Sequence, residues 1–210
     1  MDPFLPKNHE EKFWRILENR PRPLKLKSLF LETSSSENIQ KIFKNKFLAP
    51  KILKNVQIGH VDHEAIDQKL EILEISESDT WQNLESIGIN GFVIWDRVDQ
   101  IFSENNFSKI FVTIQEIRAE DILELKENLL SHSSLDHFHF EYINFPNSNQ
   151  LSIFFGNQLM ENRRQRTNFC YFQTENSQKL LSFCHNYSKK HIDFCLIDRF
   201  MLNDDFEYII

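Results

Sequence analysis

Glycine is scarce in this chain, with four among 210 residues, beside six prolines and three cysteines. Four glycines leave little room for a loop that cradles phosphate, and neither G-x-G-x-x-G nor G-x-x-x-x-G-K-[ST] occurs. Cys170, Cys184 and Cys195 form no C-x-x-C pair and are odd in number. That argues against a disulfide-stapled secreted scaffold and reads as reduced thiols in an intracellular protein, cytoplasmic or nuclear. No apolar run reaches the length of a membrane-spanning helix, so no membrane partner is expected. Residues 1–23 mix charges and prolines without an apolar stretch, so no secretory signal is expected either.

What the chain has is phenylalanine, 20 residues of it, within a 40% hydrophobic composition. A chain of this length buries roughly 70% of its unfolded surface and needs neither metal nor disulfide to hold a core. The net charge of -7 is unevenly spread. Residues 1–55 carry 12 Lys/Arg against 6 Asp/Glu, residues 56–145 carry 5 against 18, and residues 146–210 carry 7 of each. The acidic middle would repel a phosphate backbone, so no nucleic-acid partner is expected. It suits a solvated surface, a basic partner, or the basic first third of the same chain.

One apolar pattern recurs five times: Leu26-x-x-Leu29-x-Leu31, Leu53-x-x-Val56-x-Ile58, Leu84-x-x-Ile87-x-Ile89, Phe107-x-x-Ile110-x-Val112 and Leu135-x-x-Phe138-x-Phe140. The alternation ending each unit predicts a strand, because successive side chains point to opposite faces. Helical stripes lie between the units. Ser34-x-x-Glu37 has the form of a capping box and is followed by Ile39, Ile42, Phe43 and Phe47. Val93, Ile94, Val98, Ile101 and Phe102 form a second stripe, and Ile122, Leu125 and Leu129 a third. Residues 70–75 fit a helix or an extra strand, and Trp81 is expected to anchor a helix end against the core. A strand and a helix every ~20–29 residues is the leucine-rich-repeat plan. The expected fold is therefore α/β: an irregular leucine-rich-repeat-like solenoid of strand-helix units with a mostly parallel sheet and a C-terminal capping segment.

Beyond residue 146 the pattern changes. Residues 151–156 (LSIFFG), 168–173 (NFCYFQ) and 192–197 (IDFCLI) read as strands, with a short helix at Leu180, Leu181 and Cys184. This divides the chain into an N-terminal segment, 1–23, helical or partly disordered, a repeat-like domain, 24–156, and a capping extension of the same domain, 157–210.

Few constellations suggest chemistry. His60-x-x-His63, with Asp62 and Glu64, has i, i+3 spacing in an expected loop rather than the i, i+4 of a helical zinc pair. His137 and His139 flank Phe138 on a strand near Glu141, without a nucleophile placed by spacing. Arg163, Arg164 and Arg166 read as a solvated basic turn. The residues left pointing away from the repeat core form a candidate protein-interaction face: Phe30, Glu32, Asn55, Gln57, Ser86, Asn90, Lys109, Phe111, Thr113, His137, His139 and Glu141, with Phe30 and Phe111 as aromatic anchors among small polar residues. No catalytic, cofactor-binding or metal-binding residue is assigned, and no cofactor is expected.

The ordered series LKLKSLFLE (24–32), LKNVQIG (53–59), TWQNLESIGI (80–89), IRAEDILELKENLL (117–130) and FHFEYINF (138–145), followed by Phe155-Gly156, resembles the nematode FTH domain. Phe169 to Phe172 and His191 to Ile197 are similar to the strands of that family's C-terminal extension. The family is usually found behind an F-box and has no catalytic residues to carry over. The resemblance implies a non-catalytic protein-protein interaction module, like the substrate-recruiting part of a ubiquitin-ligase adaptor. Residues 1–23 are too few for an F-box, which implies a competitor for targets rather than a ligase-docked adaptor. The alternative is a metal-dependent hydrolase using His60 and His63 or His137 and His139.

Overall fold

The structure is a computed structural model that describes residues 7–45, 47–61, 68–102, 107–132, 134–176 and 178–201. Helix α1 (Lys7–Glu18) seats Trp14 and Leu17 on the core and leaves Phe13 and Ile16 exposed. Then β1 (Ser28–Thr33), α2 (Ser36–Lys44) and β2 (Asn55–His60) form the first crossover unit. A three-residue strand β3 (Gln68–Leu70) and two single-turn helices, α3 (Leu73–Ser76) and α4 (Asp79–Gln82), lead to β4 (Ser86–Ile94). Helix α5 (Val98–Phe102) precedes β5 (Lys109–Glu116), and α6 (Ala119–Leu130) precedes β6 (His137–Asn144). After α7 (Leu151–Phe155) come β7 (Met160–Asn162), β8 (Thr167–Gln173), β9 (Lys179–Asn186) and β10 (His191–Asp198).

Among the described residues, the ten strands join one sheet in the order β1-β2-β4-β5-β6-β10-β9-β8-β7, with β3 alongside β4. The five apolar motifs lie in register across its first half: Leu29, Val56, Ile87, Ile110 and Phe138 are successive partners, and so are Leu31, Ile58, Ile89, Val112 and Phe140. These strands run parallel, and each steps to its neighbour in the same direction. Parallel crossovers are right-handed, so such stepping sends every connecting helix to the same face. There Ile39, Ile42 and Phe43 of α2 and Ile122, Leu125 and Leu129 of α6 share a core with the buried strand positions. Each fully buried phenylalanine in that core, such as Phe107, Phe138 and Phe140, contributes roughly 2–3 kcal/mol by leaving water. Trp81 is fully buried and meets Phe43 and Phe107 edge-on at 5.6 Å each, the anchoring role expected of it.

The second half runs the other way. The connection after β6 carries the chain to the far edge, and β7, β8, β9 and β10 return as an antiparallel meander that ends beside β6. Residues 163–166 and 187–190 make its short turns, with Arg166 and Lys190 at φ 55. Connections this short can only join antiparallel strands, because a parallel neighbour needs a crossover of a dozen residues or more. The expected solenoid with a mostly parallel sheet is thereby corrected to a mixed α/β sheet, parallel from β1 to β6 and antiparallel from β6 to β7. The expected helix at Leu180, Leu181 and Cys184 is strand β9, whose buried Leu181, Phe183 and His185 alternate. The expected strand at 151–156 is helix α7, which buries Leu151 and Phe155 four residues apart. Val93 and Ile94 belong to β4 rather than to the helix that follows. Residues 70–75 supply both options in turn, the end of β3 and then α3. The entry to α2 is held by Thr33, whose Oγ1 accepts the Ser35 N–H and the Asn38 side-chain amide at 3.1 Å each, rather than by the expected capping box.

Charge pairing links the basic first third to the acidic middle: Lys44 meets Glu74, and Lys54 meets Glu85 at 3.1 Å. The acidic surplus is thus partly met within the chain.

Strand β4 shifts register against β5 between Ile89 and Val93, and Gly91 sits in that irregularity at φ 77. A Cβ added to Gly91 would lie 2.4 Å from the Cβ of buried His60. A Cβ on Gly88 would meet only the movable end of Gln57. Gly91→Ala is therefore expected to destabilise the protein by more than about 2 kcal/mol, and Gly88→Ala by less than about 1 kcal/mol. Urea unfolding midpoints of the two variants measure the difference, and equal midpoints would contradict it.

Candidate interaction face and its histidine-carboxylate cluster

The face opposite the helices displays the residues that alternate with the core. One row across it reads Ser28, Asn55, Ser86, Lys109 and His137; the next reads Phe30, Gln57, Gly88, Phe111 and His139. A third carries Glu32, Gly59 and Asn90, and Thr113 pairs with Glu141. All twelve residues expected on this face occupy it. Phe30 is 69% exposed and Phe111 39%. Their strands are three spacings apart, so the two rings stand roughly 14 Å from each other. Gln57 and Gly88 lie between them, and the Gln57 amide covers the space a side chain at Gly88 would fill. Asn55 donates to Ser28 Oγ at 3.3 Å, and Thr113 donates to Glu141 Oε2 at 3.2 Å.

The row continues past β6 into the antiparallel half, because His139 pairs with Asp193 and Glu141 with His191 of β10. That pairing gathers three imidazoles around one carboxylate. His137 Nε2 lies 2.8 Å and His139 Nδ1 2.7 Å from Asp193 Oδ1, while His191 Nε2 lies 3.3 Å from Oδ2. An ionised carboxylate only accepts, so both close nitrogens carry their protons there. Burial pushes the Asp193 carboxyl up. The hydrogen bonds from His137 and His139 and the nearby imidazoles outweigh that and hold it below the usual carboxylate range. Burial pushes His191 down, against the pull of Asp193. Phe111 stacks on His139 with centroids 4.2 Å apart and planes 12° apart, which fixes the ring. Cys184 and Cys195 neighbour the cluster in register, and burial raises both thiols.

Asp193 and His191 escaped the sequence reading because they stand more than fifty positions from His137 and belong to no repeat. The available signal was alternation: His191-x-Asp193 has the same period as His137-x-His139-x-Glu141. Of the other histidine pair, His60 alone lies among the described residues. His60 is buried on the helix side against the Phe92 ring at 5.2 Å, and Asp62, His63 and Glu64 lie outside the described residues. The arginines at 163, 164 and 166 are exposed in the β7–β8 turn.

Behind the cluster, on the core side of β9, His185 is 2% exposed and its Nε2 lies 2.8 Å from the Tyr142 hydroxyl. Burial, with His191 nearby, pushes this imidazole down to about 4, and burial pushes Tyr142 up to about 12. The unfolded chain takes the proton near the ordinary histidine value, about 6.5, whereas the folded protein resists until about 4. Stability contributed by neutral His185 is complete above that upper value and is lost as pH falls through the window. The loss is expected to be on the order of 3 kcal/mol. Urea unfolding at a series of pH values from neutral downward measures it; His185→Phe should flatten the slope, and an unchanged slope would contradict the assignment.

No curated protein and no solved structure matches the chain. A family profile for the FTH domain matches residues 7–158, well over half of the chain. The match begins in α1 and ends just after α7, so it takes in every strand of the parallel half. The chain belongs to the FTH domain family.

Proposed function

We propose that this protein is a non-catalytic protein-binding module that holds its partner on the helix-free face of the parallel strands. The observation that carries the reading is the pair of solvent-facing aromatics, Phe30 and Phe111, in one register row with small and polar residues between them. Large aromatics framed by small polar groups are the usual energetic anchors of protein interfaces. Asn55, Gln57 and Asn90 supply amides that can bond a partner's backbone, and the Gln57 amide lies over Gly88 between the two rings. The face carries few charges, so the partner it suits presents apolar side chains to the two rings rather than a phosphate backbone. FTH domains usually stand behind an F-box, which gives this face the role of recruiting a target. The setting is intracellular, and binding through the two rings requires no cofactor.

Affinity purification of the whole protein with mass spectrometry tests the reading. The double variant Phe30→Ala, Phe111→Ala is expected to lose the principal partner by at least about tenfold while keeping the unfolding free energy within about 1 kcal/mol of the parent protein's. Ile153→Ala, which removes a side chain 73% exposed on α7, serves as the control and should retain it. Equal recovery by the double variant and the control would overturn the assignment of the face.

A further inference from the structure

We propose that His137, His139 and Asp193 form a binding site for a divalent transition metal of the zinc class, placed across the β6–β10 seam. One donor atom from each residue lies within 4.8 Å of the other two. Two imidazole nitrogens and one carboxylate oxygen are a donor set that zinc accepts, with a fourth position left for water or an added ligand. Zinc ligands stand about 2.0–2.1 Å from the ion, which sets tetrahedral donor-donor spacings near 3.3 Å. The nitrogens now stand 2.7 and 2.8 Å from the oxygen, so each pair need open by only about half an ångström.

The surroundings are those of a built site rather than of chance neighbours. His139 Nε2 is 3.9 Å from Glu141 Oε1, so once Nδ1 gives up its proton to a metal bond the ring can carry one on Nε2 facing a carboxylate. The second Asp193 oxygen is held by His191 Nε2 at 3.3 Å. Such outer partners orient their ligands, and a carboxylate behind a ligating imidazole also raises that ring's basicity. The stacked Phe111 ring fixes the plane of His139. Both ligand-bearing strands are internal to the sheet, which keeps the donors on rigid elements, while the His137 side chain is 39% exposed and leaves an entry path. The ion would tie the parallel half of the sheet to the antiparallel half.

Isothermal titration of the full chain with zinc after chelator treatment tests the proposal. One equivalent should bind, and zinc at a hundredfold excess over Kd should raise Tm by about 5–10 °C. His137→Gln and Asp193→Asn should each lose that metal-dependent rise, judged against the same variant in chelator so that any intrinsic destabilisation cancels. Glu141→Gln, an exposed positioning change, should keep the fold and weaken zinc about tenfold. Absence of stoichiometric binding would overturn the proposal. So would binding that survives unchanged in His137→Gln, since that variant alters a half-exposed side chain and is expected to fold.

Discussion

The pairing of β6 with β10 is the contact on which the two halves of this molecule depend. On one side β6 runs parallel to β5 and continues the row of crossover units. On the other it runs antiparallel to β10 and receives the meander. Phe138 and Phe140 of β6 pair with Phe194 and Ile192 of β10, and all four are buried with the helices' apolar stripes. The same ladder turns His137 and His139 toward Asp193 on the opposite face. One strand pair thus joins the cores on one side and assembles the polar cluster on the other, because alternate residues of a strand serve opposite faces.

The parallel half was legible because its units repeat a single demand. Each apolar pair had to meet the same layer of helices, so aligning the motifs also aligned the ladder, residue for residue. The antiparallel half was not, for two physical reasons. Its strands pair across turns and through long-range contacts that leave no period to find. Its short apolar runs also do not declare their geometry: LSIFF and KLLSFC are alike in composition. In the first, Leu151 and Phe155 are four apart and fall on one helical face; in the second, Leu181 and Phe183 are two apart and fall on one strand face. Val93 and Ile94 misled because the register shift at Gly91 prolongs β4 past the point where the motif ends.

The candidate face shows the same division. Its members on β1 to β6 follow from alternation once the core positions are known. Asp193 and His191 do not, since only the folded sheet brings β10 beside β6. Phe111 gains a second part there. Besides offering an exposed edge, it stacks on His139, so the aromatic row and the histidine cluster form one continuous surface rather than two neighbouring ones. A partner resting on Phe111 would therefore sense the state of the imidazole beneath it.

The sheet's order also governs how the chain is completed during synthesis. Strands β1 to β6 emerge before any antiparallel partner exists, and the last of them stays an open edge until β10, the last strand among the described residues, has left the ribosome. An open edge offers unpaired backbone groups to any other strand. The family match stops at residue 158, short of every residue that covers that edge. A chain ended at that boundary would keep the aligned motifs but present β6, with His137 and His139, as a template for a second molecule. The meander is for this reason as much a guard against self-association as a part of the core.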